Sequence, residues 1–414
     1  MRTQQFRHFI NNAWVVAAVT VLLTGSSWAA SNGKLLYSFT GGLDGGDPAT
    51  ALTFDASGNA YGTTVTGGDF GCGTVFQLTP SGGRFTESVL FSFDCFTTGK
   101  NPYGGVIVDS KGNLYGTTVA GGFGGICAGD GCGVVYMLSN SGGTWNETVM
   151  YSFTGGDDGF GPGGALVADG NGNFYGTTPD GGANAVGVVY QISPVRGGGW
   201  QQTVIHSFTG GNDGAVGSLG ALLLDKSGNL FGVTELGGAF GTGTAFRLSP
   251  VQGGGWKMTT LYAFKGQPDA AFPYGGLIAD ANGNLYGTTY YGGKNGMGAV
   301  FELDVTRKKE IVLYNFKGGT DGSNTTTTLV FDKAGNLYGT TSMGGNPGCD
   351  CGTVFELSPR QGGGVKETIL HRFGESPDGG YPYYGLTPDS NGDLYGTTVS
   401  GGRDTQGVVF KFTP

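Results

Sequence analysis

Short apolar segments alternate with polar turns along most of this sequence. In one stretch, four runs rich in Val, Leu, Ile, Tyr and Phe cover residues 276–280, 284–289, 299–303 and 311–316. The segments between them are rich in Gly, Asn and Asp, residues that favour tight turns. Runs of this length and composition are typical of β-strands joined as hairpins. The pattern therefore predicts a unit of four short antiparallel strands, which we call strands A to D.

The unit recurs along the chain, and its second strand is the most regular part. This strand carries Gly-Asn-Leu-Tyr-Gly-Thr-Thr at residues 112–118, and close variants recur at spacings of 52 to 60 residues. The seven copies centre on Tyr61, Tyr115, Tyr175, Phe231, Tyr286, Tyr338 and Tyr395. A period of this size indicates a repeat architecture. Four strands per repeat correspond to one blade of a β-propeller.

The fourth strands show how the repeats close into a ring. Each of these strands ends in a phenylalanine, and the seven are Phe39, Phe93, Phe153, Phe208, Phe264, Phe316 and Phe373. The first precedes the first complete repeat, whereas the last repeat stops after its third strand, at residues 407–412. An N-terminal strand that completes the last blade would remove the open sheet edges. We therefore predict an all-β fold, a seven-bladed β-propeller whose last blade is completed by the N-terminal strand.

Composition changes this picture only at the N-terminus. Glycine accounts for 87 of 414 residues, which fits many tight turns because the glycines follow the repeat. Two arginines, an apolar run at residues 14–23 and small residues up to Ala29 are typical of a secretory signal. We predict a signal peptide at residues 1–29 and a seven-repeat propeller domain at residues 30–414. The mature chain would have no membrane span and would be secreted, periplasmic or at the cell surface.

Charge and cysteine content agree with export. Loss of two arginines with the signal changes the formal charge from −9 to −11, which disfavours nucleic acid as a partner. Six cysteines in an exported chain suggest disulfides. The expected pairs are Cys72–Cys95, Cys127–Cys132 and Cys349–Cys351. The third pair would close only a tight ring, and a zinc site is the alternative, although no histidine is near these cysteines.

The repeat also resembles a known family. Its G-N-L-Y-G-T-T segment is followed by G-T-V-F-x-L-S-P and E-T-x-L-Y-S-F, as in the GloVer (Gloeo_Verruco) repeat of exported bacterial proteins. The resemblance covers nearly the whole mature chain and implies a secreted or cell-surface protein, often with a C-terminal anchor. We recognise no such anchor in this sequence, and the family implies no established activity or catalytic residue.

Propeller topology places the B–C loops and the D–A loops on one face, which we call the top face. An aspartate follows the strand-D phenylalanine by five residues in six of the seven D–A loops. These residues are Asp44, Asp158, Asp213, Asp269, Asp321 and Asp378. They could set turns through bonds to backbone N–H groups, or form a ring that binds a cation or a polyol. The loop after Phe93 lacks this aspartate and carries Cys95 instead.

Three tyrosines form a second candidate set on the top face. Tyr103, Tyr274 and Tyr383 each follow a proline just before strand A, at the mouth of the expected channel. Aromatic rings beside hydrogen-bonding groups suit carbohydrate, whereas a structural alternative is that each Pro-Tyr pair packs against the next blade. We treat both sets as tentative ligand-binding residues.

No catalytic constellation stands out. Only His206 and His371 remain in the mature chain, so a Ser-His-Asp triad is not expected. We predict no catalytic residue, cofactor or metal site. The leading hypothesis is a secreted, monomeric, non-enzymatic propeller that binds a glycan or a cell-surface protein through its top-face loops. The alternative is a glycosidase or lyase that uses two top-face aspartates as acid and base.

Overall fold

Each repeat folds as a β-hairpin meander because its first turn is fixed by one aspartate. In the first repeat, Asp55 accepts hydrogen bonds from the backbone N–H groups of Ser57 (2.8 Å) and Asn59 (2.9 Å). Its second oxygen accepts from the Asn59 side chain (2.8 Å) and from the Tyr61 hydroxyl (2.9 Å). The Asp-x-x-Gly-Asn-x-Tyr pattern is therefore a turn that joins strands A and B.

The computed structural model describes residues 33–82, 84–127, 129–217 and 220–414, which form seven antiparallel blades in a ring. From blade 1 to blade 7, strand A is Thr53–Phe54, Val106–Val108, Val167–Ala168, Leu223–Leu224, Ile278–Ala279, Val330–Phe331 and Thr387–Pro388. Strand B is Ala60–Thr64, Leu114–Thr118, Phe174–Thr178, Leu230–Leu236, Leu285–Gly292, Leu337–Thr341 and Leu394–Thr398. Strand C is Thr74–Ser81, Val134–Ser141, Val188–Pro194, Thr244–Pro250, Ala299–Asp304, Thr353–Pro359 and Val408–Phe412. Strand D is Arg84–Ser92, Thr144–Ser152, Trp200–Ser207, Trp256–Ala263, Lys309–Asn315 and Val365–Arg372 in blades 1 to 6.

A few short elements lie outside this four-strand plan. Ala215–Gly217 pairs with strand B of blade 4, and Ala270–Pro273 pairs with strand B of blade 5. Gly379–Gly380 pairs with Ser400–Gly401 in the loops of blade 7, and Gly319–Asp321 is a single 3-10 turn. All of them lie in or next to the B–C and D–A loops.

The N-terminal strand, Gly33–Ser38, closes the ring. It pairs antiparallel with Val408–Phe412 as strand D of blade 7. Across the closure, the hydroxyl of Thr397 in blade 7 donates to the carbonyl oxygen of Thr50 in blade 1 (2.8 Å). The predicted seven-bladed fold and its mode of closure are confirmed. The predicted signal peptide, residues 1–29, lies outside the described residues.

The hydrophobic core consists of seven clusters, each between two adjacent blades. Every strand-D phenylalanine is buried and packs edge-to-face on an aromatic ring of strand C in the next blade, with centroids 5.0–5.5 Å apart. The pairs are Phe39–Phe76, Phe93–Tyr136, Phe153–Tyr190, Phe208–Phe246, Phe264–Phe301, Phe316–Phe355 and Phe373–Phe410.

The repeated Gly-Thr-Thr segment serves this packing. A Cβ atom on Gly62 would lie 2.6 Å from the Phe76 ring, so only glycine leaves room for the aromatic side chain. The first threonine reaches the neighbouring blade, as where the Thr63 hydroxyl donates to the Pro102 carbonyl oxygen (2.8 Å). The second turns back on its own loop, as where Thr64 donates to the carbonyl oxygen of Thr66 (3.0 Å). The motif is thus a scaffold element.

All three predicted disulfides are present. Cys72–Cys95 joins the B–C loop of blade 1 to the following D–A loop, with Cα atoms 5.3 Å apart. Cys127–Cys132 and Cys349–Cys351 close the B–C loops of blades 2 and 6. The disulfide interpretation of the cysteines is therefore confirmed over the zinc alternative. Three disulfides fit an extracellular or periplasmic protein.

The described part of the chain contains no helix with the length and apolar character needed to span a membrane.

Candidate functional site

Segments that precede strand A meet at the propeller axis and form a cavity of about 490 Å³, which we call the axial pocket. Residues of all seven repeats line it, and it opens among the B–C and D–A loops of the top face. Its aromatic side chains are Tyr103, Phe272, Tyr274, Tyr290, Tyr291, Tyr383 and Tyr384. Glu235 is the only carboxylate that lines it within the described residues. A cavity of this size and character is typical of small-ligand sites.

The structure brings the three predicted tyrosines together in this pocket. Tyr103, Tyr274 and Tyr383 occupy the same repeat position, three residues before a buried apolar residue that lies at or directly before the start of strand A. The proline before each tyrosine packs against a glycine of the preceding blade. The carbonyl oxygen of Pro382 also accepts a hydrogen bond from the motif threonine Thr340 (3.0 Å). The prolines therefore anchor the segment to the scaffold, and the tyrosines line the axis.

Two further lining residues stand where the repeats differ. Glu235 and Tyr290 follow the Gly-Thr-Thr position in blades 4 and 5, where blades 1, 2 and 7 carry Val65, Val119 and Val399. Tyr290 was expected near the three tyrosines, whereas Glu235 was not predicted as part of the site. Comparison of the repeats at this one position would have identified Glu235 as its one charged residue.

The electrostatics of the pocket follow from burial. Burial, followed by the charge of Glu235 and nearby tyrosines, raises the pKa of Tyr274 to about 12. Burial also raises the pKa of Glu235 and those of Tyr103 and Tyr383. Among the described lining residues, none is Lys, Arg or His. The tyrosine hydroxyls thus stay neutral at physiological pH and can both donate and accept hydrogen bonds.

A second depression continues from the axial pocket across blades 2 and 3, and we call it the side groove. Its volume is about 890 Å³, and Tyr103, Tyr274 and Tyr384 line both cavities. Its outer wall includes the disulfide-closed loop of blade 2 and an ion pair between Lys100 and Asp130 (3.5 Å). The two cavities together form an elongated cleft.

The six predicted aspartates lie in separate D–A loops, and none lines the axial pocket. Asp158 accepts hydrogen bonds from the Tyr151 hydroxyl (2.9 Å) and from the backbone N–H (2.8 Å) and hydroxyl (2.6 Å) of Thr154. The corresponding strand-D partners of Asp44, Asp213, Asp269, Asp321 and Asp378 are Tyr37, His206, Tyr262, Tyr314 and His371. Each carboxylate thus holds its own loop against strand D. A ligand role for the six aspartates stays a prediction.

The D–A loop after Phe93, which lacks the recurring aspartate, shows what the aspartate does in the other loops. Strand D of blade 1 carries Phe91 at the Tyr/His position, so it has no polar group for an aspartate to accept from. Asp94 supports this loop instead, accepting from the backbone N–H groups of Phe96 (2.9 Å), Thr97 (2.7 Å) and Thr98 (2.9 Å). Sequence reasoning missed Asp94, although it directly follows Phe93.

Acidic pairs between blades were also missed. Four strand-D glutamates each lie near an aspartate of the D–A loop that precedes their blade. The pairs are Glu87–Asp44, Glu147–Asp94, Glu310–Asp269 and Glu367–Asp321. Burial raises the pKa of each glutamate most, and the neighbouring aspartate raises it further. These groups lie on the outer strands, away from the axial pocket.

Several solved propellers share the fold. A putative 6-phosphogluconolactonase from Bacteroides uniformis is 14% identical, with a TM-score of 0.53 over 82% of this chain and 88% of that one. A protein from Lactobacillus plantarum is 12% identical, with a TM-score of 0.51 over the same shares. An ancestral GH74 enzyme is 12% identical, with a TM-score of 0.50 over 89% of this chain and 51% of that one. Identities this low show the fold alone.

No curated protein matches the sequence. The model of the Gloeobacter/Verrucomicrobia repeat matches residues 24–129, 124–348 and 219–414, overlapping ranges that cover most of the chain. These matches agree with the resemblance of the repeated strands and with the seven blades. The chain therefore belongs to the Gloeobacter/Verrucomicrobia repeat family.

Proposed function

We propose that this protein is an exported β-propeller that binds a glycan in the axial pocket. The observation that carries the proposal is the convergence of seven aromatic side chains, contributed by the segments of blades 2, 5 and 7, on one cavity at the axis. The scaffold does not need an aromatic ring at the position of Tyr103, Tyr274 and Tyr383, because blades 1, 3 and 6 carry the small residues Ala49, Gly163 and Thr326 there.

The chemistry of the pocket suits a sugar ring. Tyrosine presents a flat apolar face and a polar edge, so one side chain can stack on C–H groups and bond a hydroxyl. Neutral hydroxyls of Tyr103, Tyr274 and Tyr383 can match the alternating donors and acceptors of a polyol. A protein partner would more often use a flat and larger surface than a cavity of about 490 Å³.

Binding is better supported than glycoside hydrolysis. The two-carboxylate mechanism needs paired acids about 5 to 10 Å apart across one bond. In the described lining of the axial pocket, Glu235 has no second carboxylate beside it. Among the top-face aspartates that the hydrolase alternative would use, Asp158 and Asp321 each hold a D–A loop by hydrogen bonds from strand D and from the backbone. Export is supported by the three disulfides and the predicted signal peptide.

Glycan-array screening followed by calorimetry tests the proposal. In the wild-type protein we expect selective binding, and in the Tyr103→Ala/Tyr274→Ala/Tyr383→Ala variant a loss of about 100-fold in affinity. This magnitude corresponds to about 1 kcal/mol for each of three ring contacts.

The matched control removes three aromatic side chains that are exposed on the top face but lie outside the pocket. It is the Phe70→Ser/Phe96→Ser/Phe123→Ser variant, whose wild-type side chains are 61%, 67% and 66% exposed. We expect it to bind glycan like the wild type. Unchanged binding by the tyrosine variant, or equal loss in both variants, would contradict the assignment of the axial pocket.

A further inference from the structure

The negative charge of the axial pocket restricts the class of glycan that it would bind. Glu235 brings a carboxylate to a cavity whose other polar side chains are tyrosine and threonine hydroxyls. Within the described lining there is no basic residue to balance it. Anionic sugars such as uronates would meet this carboxylate unfavourably, whereas a positively charged group would compensate it.

The aromatic walls add a second attraction for positive charge. A cation above the face of a tyrosine ring is stabilised by the quadrupole of the ring, and the effect grows when water is excluded. Tyr274 and Glu235 line the same cavity, and the charge of Glu235 contributes to the raised pKa of Tyr274. An aromatic enclosure with one acidic side chain is the arrangement that recognises organic ammonium groups.

We infer that the axial pocket selects an amino sugar with a free or alkylated amine, held by Glu235 and the surrounding tyrosines, within a glycan chain that continues along the side groove. The shared residues Tyr103, Tyr274 and Tyr384 give the chain a continuous path from one cavity to the other. This inference rests on the proposed glycan binding and specifies its ligand class.

The scaffold allows Glu235 to be substituted without altering the fold. Glu235 occupies a position where three other blades carry valine, so Glu235→Val introduces a side chain that the repeat already uses there. Glu235→Gln keeps the shape and removes only the charge. Asp69→Asn provides the matched control, because Asp69 is an exposed carboxylate of the top face outside the pocket.

The experiment compares three oligosaccharide probes of equal length by calorimetry: N-trimethylated glucosamine, N-acetylglucosamine and cellulose oligomers. The trimethylated probe keeps its charge at every pH. We expect the wild type to bind it about tenfold more tightly than the acetylated probe, the size of one carboxylate-supported cation–π contact. Glu235→Gln and Glu235→Val should reduce this preference to less than about twofold, and Asp69→Asn should keep it.

The outcomes separate the two proposals. Equal binding of charged and acetylated probes by the wild type, or an unchanged preference in both Glu235 variants, overturns the amino-sugar inference and leaves glycan binding standing. Loss of the preference in Asp69→Asn as well overturns the inference, because it shows a general attraction to an acidic protein. Failure of every probe to bind the wild type overturns the inference and the proposed function for these glycans together.

Discussion

Glu147 offers a direct test of the acidic pairs between blades. Its side chain lies on strand D of blade 2, and burial, followed by the charge of Asp94, raises its pKa from 4.5 to about 8. The unfolded chain releases this proton near pH 4.5, whereas the folded protein keeps it until about pH 8. Between these values the unfolded state binds fewer protons than the folded state. The stability contributed by protonated Glu147 is therefore complete in acid and is lost as the pH rises through the folded pKa.

The size of the effect follows from the same values. Each pH unit of this window is worth about 1.4 kcal/mol per group, which gives an upper limit of about 5 kcal/mol. The side chain is partly exposed, so solvent screening reduces the expected loss to about 2 kcal/mol. Substitution by an uncharged residue of the same shape should remove it.

Glu147→Gln makes that substitution, and another blade already carries glutamine at the equivalent position. Blade 3 carries Gln202 at the same repeat position, where its side-chain N–H group donates to the backbone carbonyl oxygen of Asp158 (3.1 Å). In urea unfolding at about pH 4, we expect wild type and variant to agree within about 0.5 kcal/mol. At about pH 9 the variant should be more stable by about 2 kcal/mol.

Asp404→Asn is the control, because it removes an exposed charge that belongs to none of the four acidic pairs and should leave the pH profile unchanged. Parallel pH profiles for wild type and Glu147→Gln would refute the reasoning. So would a destabilisation of Glu147→Gln by the same amount at every pH, since that result would show a packing defect instead of relief of a buried charge.

The remaining predictions concern the scaffold. Gly396→Ala should destabilise the protein by about 2 to 4 kcal/mol in chemical unfolding, because a Cβ atom there would lie 2.5 Å from the Phe410 ring. Gly170→Ala is the control, because no atom lies within 4 Å of its Cβ position, and it should change stability by less than about 0.5 kcal/mol. A chain that starts at residue 39 should aggregate, because loss of Gly33–Ser38 exposes the edge of strand C in blade 7. Size-exclusion chromatography would detect the aggregates. A truncated chain that is soluble and melts cooperatively would contradict the closure argument. Chelation with EDTA should leave the melting temperature unchanged, since no group of three metal-ligating side chains occurs among the described residues; a fall in melting temperature would point to a bound cation.

The architecture could be predicted because the same sequence unit recurs seven times along the chain. Each repeat carries its own turn, strand and core signals, so errors in one copy are corrected by the others. Ring closure followed from simple counting, since the strand that ends at Phe39 lacks a repeat of its own and the last repeat lacks a fourth strand. The disulfides followed from topology, which brings Cys72 and Cys95 to neighbouring strand ends.

The site was predictable only in part, for a physical reason. Tyr103, Tyr274 and Tyr383 were identifiable because they share one position in the repeat, and the structure places all three in the axial pocket. Glu235 and Glu147 depend on contacts between different blades, and repeat spacing carries no information about distance across the axis or about burial. The aspartates were conspicuous because they recur, yet the hydrogen bonds of Asp158 show that recurrence here fits the needs of a loop.

The axial pocket also bears on how the ring holds together. In a repeat protein each unit contacts mainly its neighbours, so stability is passed along the chain of blades from one interface to the next. The pocket is the place where blades 2, 5 and 7, no two of which are neighbours in the ring, present aromatic side chains to a common volume. A ligand bound there would link these blades directly and add its binding free energy to the closed ring alone. Ligand binding would then slow the opening of all blade interfaces together. An occupied pocket would therefore stabilise the whole propeller against unfolding.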